Sequence, residues 1–71
     1  MAKIIIKVDS FNEAKHILKK VYKSDNSSTY CNARKTVIGS CVDANILENN
    51  SVEIESAFYN EVSLKEKFNN K

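Results

Sequence analysis

The sequence predicts an α+β domain, a small open-faced sandwich in which an antiparallel sheet of three to four strands carries two to three helices on one face. Three observations predict it. An apolar stripe of helical period runs from Phe11 to Tyr22, a two-residue alternation runs from Ser51 to Phe58, and a β-branched run, Ile4-Ile5-Ile6, opens the chain. The 71 residues make a single domain, residues 1–71. A chain of that length buries only about 60% of the surface its unfolded form exposes, which leaves no room for a second domain or a deep substrate cavity.

The first strand is read over Lys3 to Val8, packed through Ile4, Ile6 and Val8, with Asp9-Ser10 breaking it. Ser10-Phe11-Asn12-Glu13 matches a capping box, in which the serine oxygen accepts from the amide three residues on and the glutamate reaches back. The helix that starts there buries Phe11, Ala14, Ile17, Leu18, Val21 and Tyr22 and turns its lysines outward. As the first residue of that stripe Phe11 belongs in the core, with a partly exposed binding anchor as the alternative. Ser24-Asp25-Asn26-Ser27-Ser28 supplies the stop.

Thr29 to Asn32 reads as a short strand, the stretch from Ser27 to Arg34 having room for one strand or a very short hairpin. Val37, Ile38, Cys41, Val42, Ile46 and Leu47 then recur at helical spacing behind Thr36, which is placed to cap that short helix. The β-branched residues leave a strand open as the alternative over Thr36 to Ile38. Asn49-Asn50 is a turn. Val52, Ile54 and Phe58 share one face of the next strand, with Glu53 and Glu55 on the other. Ser63 and Glu66 make a second capping box for a terminal helix through Phe68.

Residues 1 to 35 hold eight Lys/Arg against three Asp/Glu, a net of +5, and residues 36 to 71 hold three against six, a net of −3. The positive half concentrates on the first helix at Lys15, Lys19, Lys20 and Lys23, with His16 among them. Such a face attracts an acidic protein or nucleic-acid phosphates, but no aromatic stacking platform or glycine-rich loop accompanies it. Cys31 and Cys41 with a single histidine do not make a zinc set, and both read as free packing thiols. No apolar run approaches the roughly 20 residues of a membrane helix, and no export signal is read at the start, so the expected location is the cytoplasm. One histidine, no acid pair at useful spacing and no glycine loop leave an enzyme without parts. No catalytic residue, cofactor or metal ligand is assigned.

Lys35-Thr36-Val37-Ile38-Gly39 resembles the Lys-Ser-Ile-Met-Gly segment that opens the middle helix in Gram-positive members of the HPr family, the histidine-containing phosphocarriers of the bacterial sugar phosphotransferase system. Ser51-Val52-Glu53-Ile54 resembles the strand that follows it. The resemblance implies the open-faced sandwich and makes Thr36 a regulatory phosphorylation site. The family's acceptor motif, Gly-x-His-Ala-Arg-Pro, is not kept. Glu13 stands at the histidine, Ala14 is retained, Lys15 replaces the arginine, and His16 stands at the proline. A carboxylate does not carry phosphate by imidazole chemistry, so the resemblance implies a degenerate member without phosphocarrier activity.

The expected function is therefore a non-catalytic, HPr-like regulatory or protein-binding module. Its partner surface is expected at Phe11, Glu13, Lys15, His16, Lys19, Lys20 and Lys35, beside Thr36. Two alternatives compete: a small mobile-element inhibitor or adaptor docking on a host protein or nucleoprotein, and a nucleic-acid binder using Lys15, Lys19, Lys20, Lys23 and Arg34. A shortened sheet also leaves an edge through which a homodimer would form.

Overall fold

The computed structural model describes residues 1–24, 29–31 and 35–69. Its elements run β1 (Ala2–Ile6), α1 (Phe11–Ser24), β2 (Thr29–Cys31), β3 (Thr36–Ile38), β4 (Val42–Ile46), β5 (Val52–Ser56) and α2 (Glu61–Phe68). All strand pairs are antiparallel, in the order β1-β5-β4-β3-β2. Strands β2 to β5 form a meander, and β5 then pairs with β1, so α1 carries the chain from one edge of the sheet to the other.

Alternation fixes what each face of the sheet does. Ile4 and Ile6, Val52 and Ile54, Val42 and Ala44, and Val37 all point to one side, where they meet Ala14, Ile17, Leu18 and Val21 of α1 and Leu64 and Phe68 of α2. Both helices therefore lie on the same face, as the sequence predicts. Among the described residues the sheet has five strands rather than three or four, and the helices are two.

The extra strands come from residues 36–47. Thr36 opens β3, not a helix, and Val42–Ile46 is β4. The apolar spacing there fits both periods, but Val42, Ala44 and Ile46 alternate with Asp43 and Asn45. A helix would also have carried Gly39, Ser40, Asp43 and Asn45 in its interior, all poor helix formers. Strand pairing instead sets Ala44 against Ile54 in the core and turns the polar pair outward. The Gly39 amide donates to the Asp43 carboxylate at 2.9 Å, closing the β3–β4 turn. Residues 25–28 and 32–34 lie outside the described residues, and with them most of the expected helix stop, Asn32 and Arg34. On either side of the second gap β2 and β3 pair as a hairpin.

Asn49-Asn50 is a turn, as expected. The Asn50 amide donates to the Leu47 carbonyl at 3.0 Å and the Leu47 amide to the Ser51 carbonyl at 2.8 Å, with Asn50 left-handed at φ 68°. This is a three-residue hairpin loop ending in a left-handed residue, the place where asparagine substitutes best for glycine.

Two boundaries differ from expectation. Strand β5 stops at Ser56, whose buried hydroxyl donates to the Cys41 carbonyl at 2.7 Å and accepts from the Phe58 and Tyr59 amides at 3.0 Å. That bend throws Phe58 outward, 72% exposed, instead of continuing the core face. Helix α2 starts at Glu61 because the Asn60 side chain accepts from the Ser63 amide at 2.8 Å, taking the cap expected of Ser63. Cys31 and Cys41 form no disulfide, and both are half-buried.

Candidate interaction site

The start of α1 is fixed by its own residues. Ser10 Oγ accepts from the Glu13 amide at 3.2 Å, and Glu13 Oε2 accepts from the Asp9 amide at 3.1 Å, one residue further back than a standard box. Glu13 therefore holds the helix entry.

Phe11 lies at the surface, 36% exposed, and not in the core, where the first residue of the stripe is expected. Lys15, one turn on, sets its ammonium 5.5 Å from the ring centroid, and Lys35 sets its own at 4.8 Å. Lys35 reaches the ring from the far end of the β2–β3 hairpin. It adopts a left-handed conformation, φ 54°, while its carbonyl accepts from the Ile46 amide at 3.0 Å. The fold thus joins three expected partner residues, Phe11, Lys15 and Lys35, into one cationic patch around an aromatic ring.

Glu13, His16 and Lys20 go elsewhere. Along α1 they follow the other flank, where they rim a groove of about 530 Å³ between α1, the end of β1 and the end of α2. Its floor is apolar, built from Ile6, Val8, Ile17 and Phe68, and Asn12 and Asn69 complete the rim. Lys19 stands exposed on the outward side of α1. Lys15, Lys19 and Lys23, four residues apart, follow one stripe along the outward side of α1, with Lys20 beside it at the groove.

Thr36 directly follows Lys35 but turns to the opposite face of the sheet. On β3 it pairs with Asn45 and faces the side of the sheet away from the helices, in a shallow depression it shares with Ile38, Asp43, Asn45, Glu53 and Glu55. No helix N-terminus supports a phosphate there, and the neighbouring carboxylates oppose one.

The apolar floor of the groove was not legible as such in the sequence, since its residues come from three elements. Their burial signal alone marks them as core. Among the described residues no group of three or more His, Cys, Asp or Glu side chains is placed to hold a metal ion, and no described helix is long and apolar enough to cross a membrane. The chain matches no protein-family model, no curated protein and no solved structure.

Proposed function

We propose that this chain is a non-catalytic protein-interaction module that docks an acidic partner segment through α1. The observation that carries the reading is the groove beside α1. An apolar floor of Ile6, Val8, Ile17 and Phe68 sits under a rim containing Lys20 and His16. A volume near 530 Å³ accommodates one or two apolar side chains of a partner, and polar groups at the rim fix its orientation. Outside the rim Lys19 and Lys23 extend a positive surface, which favours acidic residues flanking the anchor and speeds their encounter.

The cationic patch at Phe11 is a second contact for the same partner at the start of α1. Lys35 brings the segment that resembles the HPr family's docking segment against the start of α1, although here that segment forms β3 and not a helix. Direct nucleic-acid binding is the weaker reading, because the chain's net charge is only +2 and the opposite face of the sheet is acidic, so little beyond the α1 lysines would attract phosphates.

The test uses material retained from cell extract on the immobilised chain and identified by mass spectrometry. Lys20→Glu, His16→Glu and Lys35→Glu are introduced singly, and folding is confirmed by circular dichroism. Retention is expected to fall at least several-fold with Lys20→Glu and less with Lys35→Glu. Unchanged retention in all three removes the α1 site.

A further inference from the structure

We propose that the helix-free face of the sheet is a second docking surface, and that it takes a basic polypeptide segment presenting Lys or Arg side chains between aliphatic ones. Both helices lie on the other face, so the outward residues of β1, β3, β4 and β5 meet solvent. Register sets them in rows: Lys3 beside Glu55 beside Asp43, and Ile5 beside Glu53 beside Asn45 beside Thr36. Three carboxylates thus occupy the centre, with Ile5 53% exposed on one side and Ile38 60% exposed on the other. The one described lysine among them, Lys3, sits at the edge strand, 4.0 Å from Glu53.

Charge selects the occupant. A second copy laid face to face would set its carboxylates against these, an arrangement that like-charge repulsion opposes. Nucleic acid is repelled for the same reason. An acceptor-rich surface is complemented by ammonium and guanidinium donors, and Glu53, Glu55 and Asp43 line the depression between β3, β4 and β5 together with Asn45. The two exposed isoleucines supply apolar area on either side, so the segment that fits carries cationic and aliphatic residues in alternation. This face is opposite in charge and position to the α1 site, and its occupancy does not depend on that site.

The probe is a short peptide of alternating arginine and valine, titrated into the isotopically labelled full chain and followed by NMR. A glutamate-for-arginine version serves as the control. Amide shifts are expected at Asp43, Asn45, Glu53 and Glu55, with the control peptide leaving them in place. Glu53→Gln with Glu55→Gln is expected to weaken binding about tenfold, and Ile38→Ser about fivefold through lost apolar contact. Lys20→Glu on the α1 side is expected to change nothing, which separates failure here from failure of the α1 reading. No shift on β4 and β5 at millimolar peptide overturns the proposal. So does binding indifferent to Ile38→Ser, which would be charge attraction without a site, or a concentration-dependent dimer that covers this face without peptide.

Discussion

Replacing Phe11 by leucine keeps an apolar body at the start of α1 and removes the ring that two ammonium groups face. The contacts at 4.8 and 5.5 Å both lie inside the roughly 6 Å limit of a cation–π interaction. At a site this exposed each is worth about 0.5–1 kcal/mol, so Phe11→Leu is expected to cost about 1–2 kcal/mol. In a domain of this size 1 kcal/mol moves Tm by about 4–8 °C, and the expected fall is therefore roughly 5–15 °C. The informative measurement is a double-mutant cycle in urea followed by circular dichroism, with Phe11→Leu, Lys35→Met and both together. Methionine preserves the length of Lys35 and bears a similar left-handed backbone cost, so the charge is what changes. A coupling of about 0.5–1 kcal/mol is expected between positions 11 and 35. Coupling within about 0.3 kcal/mol of zero, the usual error of additivity, would show that the ammonium does not hold the ring and that the patch is not organised before a partner arrives.

Three further outcomes follow from the packing, the turn and the charges. Leu18 is fully buried beneath the sheet, and Leu18→Ala is expected to cost about 3–5 kcal/mol, a large part of a total stability of about 4–11 kcal/mol, as urea unfolding will measure. Asn50→Val places a β-branched residue at φ 68° and is expected to lose about 1–2 kcal/mol, whereas Asn50→Gly keeps the turn; equal losses in thermal unfolding would contradict the assigned geometry. With a net charge of only +2 and an acidic sheet face, no submicromolar complex with duplex DNA or RNA is expected at physiological salt. One that survives there, and weakens on Lys19→Glu with Lys20→Glu, would restore the nucleic-acid reading.

The parts of this fold that the sequence discloses are those whose chemistry is local. Ser10 and Glu13 mark the entry of α1 within four residues, and Ala14, Ile17, Leu18 and Val21 mark its buried side. The segment from Thr36 to Leu47 defeats the same reasoning because Val37, Ile38, Cys41, Val42, Ile46 and Leu47 satisfy a helical repeat, while its strands are decided by pairing, β3 with β2 and β4, and β4 with β5. That misreading also hid the acidic sheet face. Glu53 and Glu55 alone look like an ordinary solvated strand surface, and only β4 brings Asp43 and Asn45 beside them. Phe11 and Lys15 lie one helical turn apart in the sequence, but the approach of Lys35 to the same ring and the meeting of Ile6, Val8, Ile17 and Phe68 in the groove exist only in three dimensions. Phe58 and Asn60 show the smaller version of the same limit, where one buried serine hydroxyl ends a strand that the alternation would have continued.

The two surfaces of opposite charge follow from building a domain only two layers thick. Each strand of the meander sends alternate residues to the helices and to solvent, so the sheet separates the lysines of α1 from the carboxylates of β4 and β5. The molecule measures 28 × 23 × 18 Å along its principal axes. Its thinnest dimension is about twice the Debye length of about 8 Å at physiological ionic strength. Charge on one side is therefore largely screened from a partner on the other, and an acidic and a basic partner would bind nearly independently. Lowering the ionic strength lengthens that reach to about 30 Å at 0.01 M, beyond the thickness of the domain. Each partner would then neutralise charge that attracts the other across the sheet or repels it, so any coupling between the two sites should appear only at low salt.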